Sequence, residues 1–505
     1  MALKYWSSVV AGAAVAAVCT SVFMAAFAGP LDPPAGPVAP TYKTLGEVEP
    51  RVAVNATNTP GDADATPSVY KITTSGSYYL VGNVFGPVDK IAIEIAASNV
   101  TLDLNGFQVW GIGATGGIKV TLASRKNITI RNGHVQGMSG PGISLITTGT
   151  VASNCRVEDV TVFNCTGTGI EAGEHATIVN CKVEDCSNGI FALRSALIRD
   201  CSARSCSSAG IFVQEGTIEG CTSTDNGTAG IFISERGSVR NCTAARNGTA
   251  GIQAGSGSVI TACSAANNTQ NGITASGGSV TVADCSATGN GSNGISLSSG
   301  TIRSCIASSN TLSGIVATGR AVVDGCTAAS NLASGISIAG GSITGCIASS
   351  NSATGLAATS GVITQSEAMS NGTGISVGTG TLVTHCRAGF SGGNGIHVAA
   401  SNCLIQGNLC TQNGTAASGA GIFTNGEANR IEGNNLVYND WGLDCDGAVN
   451  LIINNTARGN PNSNYDIFTG NRVGTVLVPP LSGDISGNTG GAGLGTNEPW
   501  ANFAY

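Results

Sequence analysis

Charge is scarce in this chain. Lys, Arg, Asp and Glu make up 10% of the residues, with 23 basic against 30 acidic side chains and a net charge of −7. No Lys/Arg run occurs, so neither a nucleic-acid backbone nor an anionic membrane surface meets an electrostatic footprint. Aromatic residues are few as well, at 5%. Large rings supply much of the volume of a wide globular core. A core built from this sequence is therefore narrow and filled by small aliphatic side chains. Beyond residue 28 no apolar run is long enough to cross a bilayer.

Two residue types are over-supplied: 73 Gly and 18 Cys among 505 residues. The N-terminus reads as a signal peptide over residues 1–28. Lys4 supplies a positive start, Val9 to Phe27 an apolar stretch, and Ala26-Phe27-Ala28 a cleavage signal. Retention as a membrane anchor is the alternative at this point. Residues 29–65 form a Pro-rich linker, carrying Pro30, Pro33, Pro34, Pro37, Pro40 and Pro50.

From there the sequence repeats. A Gly followed by Ile or Leu recurs from Gly142 to Gly421, at spacings of 19 to 27 residues. Cys181, Cys201, Cys221, Cys242 and Cys263 begin a second column with the same period, which continues to Cys346. Ser366 interrupts it and Cys386 resumes it. A third column, from Asn226 through Asn247, Asn268 and Asn290 to Asn371, follows the Cys column by five residues. Between columns, pairs such as Ile211 with Val213 and Cys263 with Ala265 show the i, i+2 alternation of a strand. Runs of three to five residues are too short for helices. A repeat of about 21 residues thus predicts three short strands and three tight turns per coil, wound right-handed.

The expected fold is all-β: a single-stranded right-handed parallel β-helix of about 14–16 coils of 20–28 residues. It should span residues 66–470, with longer coils and a cap over 66–168, regular coils over 169–395, and a C-terminal cap or tail over 471–505. Tyr70 to Leu80 is the expected N-terminal cap. Stacking places like side chains above one another at about 4.8 Å. Ile, Val, Ala and Cys should line a dry core. Gly should sit where a Cβ would clash. Asn should take the left-handed turn and bond along its column. Stacked Cys fit free thiols better than disulfides, because parallel Cβ atoms stay too far apart. A metal cluster at Cys181, Cys186, Cys201 and Cys206 is the sharper alternative. Among Cys403, Cys410 and Cys445, off the regular columns, one pair could be oxidised.

These columns resemble those of the secreted parallel β-helix repeat proteins of the pectate-lyase-like superfamily, over roughly residues 70 to 470. That resemblance implies a fold and only a range of functions, from polysaccharide lyases and glycoside hydrolases to tailspikes, adhesins and non-catalytic members. The catalytic patterns of polygalacturonase-like relatives do not occur; Gly133-His134-Val135 is an isolated fragment of one.

Charge is concentrated between Cys155 and Arg246. Glu174, Arg194, Glu215 and Glu235 fall five residues after successive Gly positions. Arg199, Glu219 and Arg240 fall two residues before successive Cys positions. Alternating charges one rung apart support a ladder. Glu215 above Glu235 is the candidate catalytic pair, since two carboxylates about 5 Å apart suit acid/nucleophile work or a cation. The plain alternative is two carboxylates splayed into water. Glu174, Arg194, Arg199, Glu219 and Arg240 are candidate binding residues. No metal or cofactor is expected, with Ca2+ the one ion this pair would suit. The reading is a secreted or surface-associated β-helix, non-catalytic, with a structural, adhesive or polysaccharide-binding role. Its partner would be an extracellular polysaccharide or cell-envelope component. The alternative is a polysaccharide lyase or glycoside hydrolase with its site on the N-terminal coils.

Overall fold

The computed structural model describes residues 49–65, 67–147, 150–414, 418–478 and 499–505. The expected signal peptide lies outside the described residues. The chain divides into two units, Met1–Arg51 and Val52–Tyr505. In the first, the Arg51 guanidinium lies 2.7 Å from the Glu49 carboxylate.

The second unit is a parallel β-solenoid of about nineteen coils. One regular coil shows the plan. Ile211–Val213, Gly216–Glu219 and Thr222–Thr224 are its three strands. Each pairs in parallel with its counterpart one coil on, with Ile211 on Ile231, Ile218 on Val239 and Thr222 on Thr243. The molecule thus has a first face after each Gly, a second before each Cys and a third after it. Among the described residues no helix is long and apolar enough to cross a membrane.

There are more coils than the 14–16 expected, because both ends extend the stack. Ser68–Ile72 and Gly76–Leu80 are full rungs rather than a cap, pairing with Ile91–Ile95 and Val100–Asp103. Strand structure starts at Val52, inside the segment read as linker, where Val52–Val54 pairs with Tyr78–Leu80. The cap is a turn back: Pro60–Asp62 runs antiparallel along Ser68–Tyr70 and covers that edge. At the far end the tail is less irregular than expected. Asn502–Ala504 pairs with Thr456–Ala457 and with Val476–Leu477.

The columns explain the core. Ile211, Ile231 and Ile252 on the first face, Ile218 and Ile260 on the second, and Ala244 and Ala265 on the third are fully buried. Small inward residues on the third face let three strands close around a narrow interior. A Cβ on Gly251 would lie 2.6 Å from Asn268 Nδ2 and 2.7 Å from the Gly272 carbonyl, so this column has no room for a side chain.

The Asn column works differently from the expectation. The left-handed residue is the one before it: Asp225, Arg246 and Asn267 have φ of 60°, 55° and 55°. The Asn is turned inward and buried, and its amide fastens coil to coil. The N–H and Nδ2 of Asn290 both donate to Asn310 Oδ1, at 3.0 and 3.0 Å. Nδ2 also donates to the Ala265 carbonyl at 3.1 Å. In the longer N-terminal coils the expected arrangement holds: Asn99, Asn127 and Asn154 have φ of 55°, 57° and 52°. Their amides form an exposed ladder at 2.7 and 2.6 Å.

The seventeen described cysteines are free and buried, Cys403, Cys410 and Cys445 included. The Cys263 thiol donates to the Thr261 carbonyl at 3.2 Å, and its N–H meets Cys285 Sγ at 3.5 Å. Burial pushes the Cys206 and Cys386 thiols up, each to about 11. Among the described residues no group of three or more His, Cys, Asp or Glu is placed to hold a metal, the four-Cys alternative included.

Candidate functional site

Inward positions are committed to stacking, so chemistry is left to outward ones. On the first face the outward side chains read Lys71, Glu94, Lys119, Ser144, Glu171, Phe191, Phe212, Phe232 and Gln253, each on the rung below the next. The column then turns small and neutral through Thr274, Ser296 and Val316 to Ser376. It ends in His397, Phe423, Asp444 and Asp466. No other outward column of the described coils gathers three stacked rings.

The three Phe form a continuous half-buried ladder. Phe191 and Phe212 stack with centroids 5.0 Å apart and planes at 3°. Phe212 and Phe232 meet edge to face at 4.9 Å and 72°. Stacked and T-shaped rings both suit the aromatic quadrupole. The spacing is the coil repeat, imposed by the backbone.

The predicted carboxylates stand along one edge of this ladder. Val213 and Ile233 pair across adjacent coils, and Glu215 and Glu235 follow each of them by two residues. The two are not an isolated pair: Arg236 Nη2 lies 3.5 Å from both. The guanidinium supplies positive charge to both carboxylates. Glu174 and Arg194 fall in the same row of turns. Arg199, Glu219 and Arg240 are elsewhere, on the outward side of the second face, stacked as the spacing predicts. Arg240 grips Glu219 at 3.0 Å and holds its carboxyl below the usual range. Arg199 leans to Asp200 at 3.4 Å instead. This is a solvent-exposed charge ladder, and the candidate binding residues therefore divide between two faces.

At the start of the first-face column the charges are closed in. Glu94 is buried, with Oε1 2.9 Å from Lys71 Nζ and 2.5 Å from Thr121 Oγ1. Lys71 also meets Asp62 and Asp64 from the cap. The hydrogen bond to Asp62 contributes most to raising the Lys71 ammonium. This cluster ties the cap to the first coils. Two rungs beyond Glu94 toward the Phe ladder, Ser144 donates to Glu171 at 2.7 Å, aiming that carboxylate along the column.

At the far end His397 lies over Phe423, ring centroids 5.2 Å apart. Burial lowers the His397 imidazolium below its usual range. Asp444 is pushed up to about 6, by burial first and then by Asp446 and Asp466. Asp466 sits on the next rung, directly in register.

The Phe ladder is legible in the sequence: three successive Gly-Ile-Phe triplets put a ring at the outward position of each strand. These rings belong to no acid–base motif, so a reading directed at catalytic carboxylates passes over them. The Asp444–Asp466 pair carries no such signal, because its coil opens with Gly442-Leu443 and its register comes only from pairing.

The family described as "Right handed beta helix region" matches residues 116–261 and 235–367. No curated protein sequence matches the chain. Among solved structures it is similar to the A-module of a mannuronan C-5 epimerase of Azotobacter vinelandii. The identity is 14%, over 71% of this chain and 91% of that one, with a TM-score of 0.29. It is also similar to the Dettilon tailspike protein, at 12% identity over 83% and 67% and a TM-score of 0.25. A surface adhesin of Streptococcus pneumoniae follows at 9% identity over 76% and 84%, with a TM-score of 0.17. With the coil-to-coil pairing and the matched repeat region, this chain is a right-handed parallel β-helix protein.

Proposed function

We propose that this protein is a secreted or surface-held β-helix that binds a polysaccharide, without catalysis, along the outward column of its first face. The observation that carries the reading is the Phe191–Phe212–Phe232 ladder. The rings stack on one another along the axis, so they turn their edges outward as a continuous apolar strip against which the CH faces of sugar rings can pack. A ladder repeating every 4.9–5.0 Å is close to the rise of one sugar in an extended glycan. A chain lying along the solenoid axis would meet one ring per sugar. Turn edges carrying Glu215, Arg236 and Glu235 supply hydrogen-bond acceptors and donors to hydroxyl groups.

Charge narrows the ligand. Around the three rings stand Glu171, Glu174, Glu215 and Glu235 against Arg194 and Arg236. An acidic surround repels polyuronates and favours a neutral or amino-substituted glycan. Affinity electrophoresis of the chain without residues 1–28 in gels containing neutral and uronic polysaccharides tests this. A neutral glycan should retard it. Phe212→Ala, which removes the central ring, should weaken that binding about five- to thirtyfold, at on the order of 1–2 kcal/mol for a stacked ring. Unchanged retardation of Phe212→Ala would refute the assignment of this face.

One observation favours a second reading, a carbohydrate-active enzyme. Asp444, pushed up to about 6, is poised to give a proton beside Asp466 on the next rung. New reducing ends produced from a glycan and lost in both Asp444→Asn and Asp466→Asn would establish it.

A further inference from the structure

We propose a second, separate ligand site at the C-terminal end of the second face, a cleft that takes the carboxylate-bearing ring of a sugar acid. The cleft has a volume of about 360 Å³, and its lining includes Arg430, Leu451, Arg472, Val473, Gly474 and Trp500. That size admits one or two sugar rings.

Pairing places the residues. Arg430, Leu451 and Arg472 are stacked on three successive coils, so the two guanidinium groups flank an apolar residue. Arg430 gives its Nε to Glu432 at 2.6 Å, which leaves its terminal nitrogens for a ligand. Arg472 makes no side-chain hydrogen bond or ion pair with a described residue, and among the described residues no acid lines the cleft. Glu432 offsets the charge of Arg430, so the positive charge of the cleft is that of Arg472, in a chain of net charge −7. A planar guanidinium matches a carboxylate through two parallel hydrogen bonds.

The wall is Trp500. Its side of the cleft is fixed by the end of the Asn ladder. Asn502 Oδ1 accepts from the Asn455 N–H at 2.9 Å, closing the column. The Trp500 carbonyl accepts from the Asn454 N–H at 3.3 Å. Trp500 nevertheless stays 49% exposed, a large ring held at the surface beside Leu451 and Val473. A rigid, open indole next to a guanidinium selects a ligand with a flat CH-rich ring and an acidic substituent. A hexuronate has both. A free carboxylate lacks the ring, and a neutral sugar lacks the charge.

The test uses the chain without residues 1–28, with trigalacturonate and its methyl ester as probes, by titration calorimetry at low salt. The acid should bind at least tenfold tighter than the ester. Trp500→Ala and Arg472→Gln should each weaken it at least tenfold, and Arg472→Lys should weaken it less than Arg472→Gln. Phe212→Ala should leave it unchanged, which separates this site from the Phe ladder. Both side chains are exposed, so unfolding temperatures close to wild type are expected and are checked in parallel. Equal affinity for acid and ester overturns the proposal. So does an unaltered Arg472→Gln variant, or displacement of the trimer by acetate at equal concentration.

Discussion

Replacing Asn310 by Ala isolates what the buried amide ladder contributes. Asn310 Oδ1 accepts from the N–H and the Nδ2 of Asn290, at 3.0 and 3.0 Å. Its Nδ2 donates to the Ala287 carbonyl at 3.1 Å and to Asn331 Oδ1 at 2.9 Å. Ala deletes all four bonds. Asn290 Nδ2 keeps the Ala265 carbonyl, and Asn331 Oδ1 keeps the Asn310 N–H at 3.1 Å. The Asn290 N–H is left buried with no acceptor, costing about 1–3 kcal/mol, and each weakened bond adds about 0.5–1 kcal/mol. The expected loss is about 3–5 kcal/mol. In a solenoid each coil touches only its neighbours, so the loss should stay local. Hydrogen exchange read by mass spectrometry resolves it. Amides between Cys285 and Asn331 should exchange roughly 100- to 3000-fold faster, at tenfold per 1.4 kcal/mol, while those between Ile396 and Thr424 stay at wild-type rates. A change below threefold between Cys285 and Asn331 would refute the ladder as the fastening between coils.

Three further outcomes follow. Cys263→Ser should cost under about 1 kcal/mol by thermal unfolding, because Ser366 already fills one place in this column, accepting from the Cys346 N–H at 3.1 Å and donating to the Thr364 carbonyl at 2.8 Å. Cys263→Leu should cost more, about 1–3 kcal/mol, by overfilling the interior. Asp444 has a folded value of about 6 against an ordinary 3.8, so the folded state binds its proton more tightly. Its contribution to stability is therefore full below 3.8 and is lost as the pH rises through about 6. Partial exposure reduces the effect to about 1–2 kcal/mol. The unfolding temperature of Asp444→Asn should fall less than that of wild type between pH 4 and 7, and parallel curves would show that Asp444 is not shifted.

Burial also bears on modification. Asn226-Gly-Thr, Asn247-Gly-Thr and Asn371-Gly-Thr have the form of glycosylation acceptors, yet all three Asn are buried and hydrogen-bonded in the ladder. Once folded they present no amide to an enzyme.

The coil can be read from the sequence because a solenoid is periodic in one dimension. Each residue's neighbour is the residue about 21 positions away, so Gly, Cys and Asn columns state the contacts directly. The same periodicity sets Arg199, Glu219 and Arg240 one above another. Where coil length changes, the rule stops working. The number of coils, the start at Val52 and the turn of Pro60–Asp62 onto Ser68–Tyr70 depend on which strand edges find partners. Sequence composition says nothing of that. Direction within a turn is also beyond its reach: Asn226 turns inward because Asp225 takes the left-handed conformation, one residue earlier than expected.

The candidate sites divide the same way. Outward parity within Gly-Ile-Phe is already enough to put Phe191, Phe212 and Phe232 on one line. Tertiary structure decided that Arg236 reaches both Glu215 and Glu235, that Asp444 meets Asp466, and that a tail residue, Trp500, walls a cleft with Arg472. Stacking order is a local, repeated property and survives in the sequence. Side-chain charge pairing across turns and the return of a distant tail are single events, fixed only by the three-dimensional path of the chain.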